Sequence, residues 1–263
     1  MRRAFAATMA VGAAVVGCGM MAGEMGAQLA PAPSISLFKR DGTTWTPAAV
    51  VCDSTNRDRV LVMSPPARGR RVEVWSLAKP GLVASHVAVT LGTGDAGMNQ
   101  VYYPFTDADG QQVGWVHALN PGIVEPGATT PAVTSIKLGQ QTSNCRFAPQ
   151  TRVLGATPRR SVQITATPTR GYRYRSYNYD TRLPEVQQPW GGRDTRASLT
   201  IDDGRLIERS GTRRVYQFEN GGYTYRVFAS LDPSHAGGGV QVSRGGRVVL
   251  AEPFGAYTAA LQP

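Results

Sequence analysis

Apolar and polar residues alternate along most of this chain. Arg70 to Leu77, Val83 to Leu91, Ser161 to Thr167, Ser198 to Ile201 and Gly239 to Ser243 all keep a period near two. That period sends successive side chains to opposite faces of an extended backbone, so each stretch is predicted as a strand. Two longer runs, VYYPFTDADGQQVGWV from Val101 to Val116 and VYQFENGGYTYRVF from Val215 to Phe228, read as strand, tight turn, strand. Asp107 to Gly110, Asn220-Gly221-Gly222, Asp202-Asp203-Gly204 and Arg244-Gly245-Gly246 supply turn residues, because Gly, Asn and Asp tolerate the backbone angles that tight turns require. No window of helical periodicity competes; the most helix expected is a short turn near Ala256 to Leu261. The fold class is all-β, built as antiparallel sandwich or small-barrel units.

Two stretches share landmarks. CDSTNRDRVLVMSPPARGRRVEVW from Cys52 and CRFAPQTRVLGATPRRSVQIT from Cys145 each carry a cysteine, six residues, Arg-Val-Leu, a Pro-containing turn, Arg-Arg and an alternating strand. With the two hairpins they suggest two related β units in tandem. In a pseudo-twofold arrangement the two cysteines would meet near the axis and one bond would tie the halves together. NPGIVEPGATTP, from Asn120 to Pro131, is rich in breakers and reads as an extended connection. The expected organisation is an export signal over 1–30, a first β unit over 31–119, a Pro/Gly-rich connection over 120–134 and a second β unit over 135–263.

The export signal is read from Arg2 and Arg3 followed by the apolar stretch Ala4 to Gly17, too short to span a membrane. Two processing routes stay open. Val15-Val16-Gly17-Cys18 resembles a bacterial lipoprotein box, which would lipidate Cys18; a plain secretory signal would instead be cut near Ala27 or Ala30. Either route leaves Cys52 and Cys145 as an even pair outside the cytoplasm, which favours a disulfide. The expected location is the periplasm, with an outer-membrane anchor on the lipoprotein route, and membrane association through that anchor alone.

Charge adds a partner class. The net charge is +10, and residues 146–263 carry 17 Arg against 9 Asp or Glu. A basic half concentrates near polyanions by long-range attraction. Within it YRYRSYNYD, Tyr172 to Asp180, places Arg173, Arg175, Tyr177 and Tyr179 on one strand face, and Arg159-Arg160 lies just upstream. Those six residues are the candidate ligand site, since guanidinium groups beside phenols hold anionic sugars or lipid headgroups by charge-assisted hydrogen bonds and stacking. The competing reading turns the tyrosines into the core and leaves the arginines outside as a solvated surface. Partners are thus an anionic envelope lipid or glycan, or another envelope protein. Nucleic acid is not expected of an exported chain without a recognised binding module.

Catalytic motifs are missing. His86, His117 and His235 stand apart with no HExxH, no Cys-x-x-Cys and no metal-ligand spacing, and neither G-x-S-x-G nor S-x-x-K occurs. Asp107-Ala108-Asp109-Gly110 lacks the later ligands of a calcium loop, and Asp202-Asp203 reads as a turn before a carboxylate pair. No cofactor or metal is expected. The exported N-terminus, Cys-x6-Arg-Val-Leu, the Arg-Arg strand and the hairpin ending in Asn-Gly-Gly-Tyr-Thr-Tyr together resemble the uncharacterised exported proteins and lipoproteins of Gram-negative bacteria, a resemblance that brings no activity with it. The cysteine-led strand and the Tyr-Thr-Tyr hairpin are distantly similar to periplasmic lysozyme-inhibitor-type β-barrels, although no inhibitory loop matches and the positive charge opposes binding a basic lysozyme. The leading expectation is a noncatalytic periplasmic or cell-envelope β protein. The alternative is an envelope hydrolase with a dispersed site around His117 or the aspartates.

Overall fold

The computed structural model describes residues 34–97, 100–119, 133–146, 150–181, 184–187 and 193–261. It is all-β. In chain order the strands are β1 (Ser34–Lys39), β2 (Trp45–Ala48), β3 (Val50–Asp53), β4 (Arg59–Met63), β5 (Arg71–Ala78), β6 (Val83–Leu91) and β7 (Asp95–Gly97). Next come β8 (Gln100–Thr106), β9 (Gln112–Leu119), β10 (Val133–Leu138), β11 (Gln141–Asn144), β12 (Thr151–Ala156), β13 (Arg160–Ala166), β14 (Tyr172–Asn178), β15 (Glu185–Gln187) and β16 (Arg193–Thr195). The chain closes with β17 (Leu199–Arg209), β18 (Arg213–Asn220), β19 (Tyr223–Ser230), β20 (Gly238–Arg244), β21 (Arg247–Pro253) and β22 (Ala256–Ala260).

These strands form two large antiparallel sheets. One follows the order β11-β10-β9-β8-β6-β5-β4-β3, with β7 paired to β8 at the side. The other, a curled half-barrel, follows β2-β1-β22-β12-β13-β14-β17-β18-β19-β20-β21, and β15-β16 stands apart as a short ribbon. Alternation explains the first sheet well: in β9, Gly114, Val116 and Ala118 point inward and their neighbours outward. Its interior collects Val50, Cys52, Leu61, Val72, Val74, Phe105, Val116 and Ile136. The half-barrel encloses Leu37, Val162, Ile164, Tyr174, Tyr216, Phe218, Val227 and Tyr257.

The first sheet curls until its two ends meet. Thr55 donates its amide to the Asn144 carbonyl at 2.8 Å and Arg146 donates to the Asp53 carbonyl at 2.8 Å, while Ser54 bridges Cys145. Cys52 and Cys145 are disulfide-bonded across this closure. The bond therefore stitches the edges of one unit, where the duplicated reading expected it to tie two units together. The cysteines are not equivalent either. Cys52 and Arg59-Val60-Leu61 share one sheet, whereas the chain changes sheets between Cys145 and Arg152-Val153-Leu154.

The expected boundaries shift accordingly. β1 and β2 belong to the half-barrel, since β1 lies against β22, and β10 and β11 belong to the first sheet. Residues 120–132 fall outside the described residues, but they join two adjacent strands of the first sheet and so do not link the units. The crossings are at β2 to β3 and β11 to β12. The apolar runs VVC and VLVM explain the seam: a strand buried on both faces reads as continuous hydrophobic sequence. Val51, Val60, Val62 and Leu77 present their second face to Phe38, Ala48, Ala156 and Ala256 of the half-barrel.

Two local expectations are corrected. Ala256–Ala260 forms a strand where a helical turn was expected, because it is laddered on both sides, to β1 and to β12. Asp202-Asp203-Gly204 forms a bulge within β17 where a turn was expected: the β14–β17 register shifts there, and Asp203 takes a φ of 60°. The extra residue turns Gly204 inward against Phe218, where a Cβ would overlap the ring. Gly204→Ala is expected to cost roughly 1–3 kcal/mol from overpacking, seen as a lower thermal midpoint that Phe218→Leu partly restores.

Candidate functional site

The arginine–tyrosine face exists, and the second half of it is covered. β14 sends Tyr172 and Tyr174 inward, where Tyr174 tilts against Phe218 with centroids 5.7 Å apart; burial pushes the Tyr174 phenol up to about 12. Arg173 and Arg175 emerge on the opposite face. Tyr177 and Tyr179 share that face but lie under the first unit. The Tyr177 hydroxyl donates to Gln163 Oε1 at 3.2 Å, and the Arg146 guanidinium lies 3.3 Å above its ring. Tyr179 pairs with Ser161 Oγ at 3.0 Å, and burial, reinforced by the Asp53 carboxylate, drives its phenol far above the ordinary tyrosine range.

Below these rings sits a buried charge cluster that the sequence did not single out. Asp53, at the end of β3, receives Lys79 on Oδ1 and Arg146 Nε on Oδ2, the latter at 2.6 Å, and all three side chains are nearly inaccessible. Lys79 Nζ also donates to the Ser54 carbonyl at 2.8 Å and lies 5.0 Å from the Tyr179 ring centroid. The cluster joins β3, the residue after β5 and the second residue after β11 to β14 of the other sheet. It is a structural lock at the seam.

Arg159 lies in the β12–β13 turn and Arg160 opens β13. Thr157 Oγ1 accepts the amides of both, at 3.1 and 3.0 Å. Arg160 forks onto Glu252 through Nε to Oε2 and Nη2 to Oε1, each at 3.1 Å. Arg159 stays exposed beside a cleft of about 360 Å³ bordered by Pro80, Asn178, Tyr179 and Asp180. Of the six candidate residues, then, Tyr177, Tyr179 and Arg160 serve the framework, Arg173 is paired with Asp202, and Arg159 and Arg175 keep outward positions. Arg159 and Arg175 are not brought together. Cys18 lies outside the described residues.

The half-barrel's outer face adds residues that the sequence reading missed. Arg175 stands in register between Gln163 and Thr200. Across the next strands Arg205, Gln217, Arg226 and Gln241 follow one another as opposed partners, and Arg226 Nε donates to Gln217 Oε1 at 3.0 Å. Glu219 borders this row, held by Gln217 at 3.0 Å and Thr224 at 2.9 Å. Alternation within each strand was legible, but alignment between strands depends on the bulge at Asp203, which reads as a turn in sequence.

The histidines do not converge. His117 has both ring nitrogens engaged, Nε2 with Gln100 Oε1 and Nδ1 with Thr134 Oγ1, each at 2.7 Å; burial lowers its basicity. His86 stacks on Trp75 with centroids 4.2 Å apart. His235 Nδ1 meets Asp232 Oδ2 at 2.8 Å beside a cleft of about 490 Å³. Ser234 Oγ donates to the same carboxylate at 2.6 Å and contacts the same ring nitrogen at 3.0 Å. That arrangement caps the short 3-10 turn Pro233–His235; it does not set a hydroxyl against a base that a carboxylate orients from the far side, as nucleophile activation requires. Among the described residues, no group of three or more His, Cys, Asp and Glu could hold a metal ion, and no helix is long and apolar enough to cross a membrane. No family model, curated protein or solved structure matches the chain.

Proposed function

We propose that the protein is an exported, noncatalytic cell-envelope β protein that holds an anionic envelope component on the outer face of its half-barrel. The observation that carries this reading is the in-register row of Arg205, Gln217, Arg226 and Gln241, with Arg173 and Arg175 on β14, the strand next to Arg205's own. Guanidinium and amide groups on a fixed pleat offer several donors to phosphate or carboxylate oxygens, and the charged ones give the stronger bonds. A rigid sheet also loses little conformational entropy on binding. The export signal and the disulfide fit a periplasmic location, with Cys18 as the anchor on the lipoprotein route. The hydrolase alternative is disfavoured because His117 is occupied on both nitrogens and faces no carboxylate there.

The test compares vesicles with anionic and neutral headgroups, and a free anionic oligosaccharide against its neutral counterpart. Arg173→Glu combined with Arg175→Glu is expected to weaken anionic binding by at least about tenfold, ~1.4 kcal/mol, and raised salt is expected to weaken the wild type in the same direction. Loss on vesicles alone assigns a lipid headgroup, and loss on the oligosaccharide alone assigns a glycan. Unchanged anionic binding in the double variant removes this face as the site.

A further inference from the structure

The first sheet has a gap in its hydrogen bonding. β5 and β6 are paired along the whole of Val83–Thr90, but β6 meets β8 only at Thr90 and Leu91. Residues 83–89 therefore run along an edge with no strand beside it among the described residues. This stretch is VASHVAV, without Lys, Arg, Asp, Glu or Pro. Its first six residues are all exposed, Val83 by 73% and Val87 by 40%.

Such an edge is unusual in this molecule. β2 is four residues long and carries Pro47, β21 carries Arg247, Glu252 and Pro253, and β3 and β11 close on each other. Short length, charge and proline are the ordinary devices that keep edges from pairing. The β6 edge has none of them.

Its sequence also reads nearly the same in both directions around His86: Val83 mirrors Val89, Ala84 mirrors Ala88, and Ser85 mirrors Val87. The midpoint of the symmetric stretch is the midpoint of the open edge. We propose that the occupant of this edge is β6 of a second copy, antiparallel, about a twofold axis passing between the two His86 residues. A twofold contact uses the same patch on both copies, so a strand matching its own reverse satisfies it without mismatched pairs.

In that register Val83 opposes the other copy's Val89 and Ala84 its Ala88. Side chains directly opposite in an antiparallel pair approach to about 4.5–5.5 Å between Cβ atoms. Val83, Ser85 and Val87 lie on the face of Val72 and Val74, the interior face of the first sheet, so pairing covers Val83 and Val87 and extends that apolar surface into the other copy. On the opposite face each His86 already lies on Trp75, and the pairing aligns Trp75, His86, and their two counterparts as a row of four rings. The seven open residues span about 23 Å. No charge from this edge faces its own copy, although the whole chain carries +10. The contact is separate from the basic face and does not rest on the function proposed for it.

Light scattering on the purified, oxidised protein over a dilution series tests the idea. The wild type is expected at twice the chain mass at high concentration and to dissociate on dilution. Val87→Lys is expected to run at the chain mass, and Val248→Lys on β21, an edge of the other sheet, to leave the dimer unchanged. His86→Cys is expected to form an intermolecular disulfide under oxidising conditions, and Val83→Cys is not, because Val83 faces Val89. Retained β circular dichroism in each variant separates lost pairing from lost folding. A wild type at the chain mass throughout, a dimer that survives Val87→Lys, or no cross-link through His86→Cys overturns the proposal.

Discussion

Asp53→Ala is expected to lower the stability of this protein by about 3–5 kcal/mol, seen as a lower urea midpoint with an unchanged slope. Asp53 is the anion on which Lys79 and Arg146 converge, and its carboxylate is enclosed with them. Removing the carboxylate leaves two positive charges side by side out of water, and the loss includes both the attraction and the desolvation that it offset. Asn is nearly isosteric and is expected to be almost as harmful, since it keeps the shape and loses the charge. The same cluster sets an acid limit. Burial alone would raise the Asp53 carboxyl, but the facing Lys79 and Arg146 overcome it and hold the group at about 2, below its ordinary 3.8. A carboxylate more acidic in the folded chain than in the unfolded one stabilises fully above the unfolded value, and that contribution is lost as pH falls through about 2. It amounts to roughly 2 kcal/mol. Stability measured from neutral pH downward should therefore fall less steeply in Asp53→Asn than in the wild type.

The features legible in sequence were the local ones. The strand at Val83–Leu91 and the hairpins at β8–β9 and β18–β19 follow from alternation and turn chemistry carried by adjacent residues. The glycine turns at Gly110, Gly221-Gly222 and Gly245-Gly246 take the positive φ that their sequences imply. The misreadings share a different cause. Asp-Asp-Gly has the same composition in a turn and in a bulge, and only the ladder to β14 distinguishes them. Ala256–Ala260 has small residues that suit a helix, yet β1 and β12 supply backbone partners on both sides. The seam cluster has no local signature, because Asp53, Lys79 and Arg146 come from three distant parts of the chain. The YRYRSYNYD stretch shows both limits together. Its alternation is correct, with Tyr172 and Tyr174 inward and Arg173 and Arg175 outward, but nothing in it reveals that Tyr177 and Tyr179 would be roofed by another sheet.

Replacing Cys52 and Cys145 together by serine is expected to cost about 4–5 kcal/mol if loop-closure entropy governs, since the bond closes a loop with a sequence separation of 93. The location of the damage is the sharper prediction. The bond sits where β3 meets the residues after β11, so its loss should open the first unit along that line. Amide exchange should accelerate at Thr55 and Arg146, whose amides cross the closure, while β17 to β20 stay protected as members of the half-barrel. A staple between two otherwise independent units would behave differently: each sheet would keep its protection and the seam around Val51, Val60 and Ala256 would loosen. Protection lost at the seam alone, with the closure intact, would remove the assignment of this bond to closure of the first sheet. Asp53 follows Cys52 directly, and Arg146 follows Cys145, so the disulfide and the ion cluster fasten the same two chain segments. The two losses should therefore not add: once the closure has opened, Lys79 and Arg146 regain water, and removing Asp53 as well should cost less than it does in the oxidised protein.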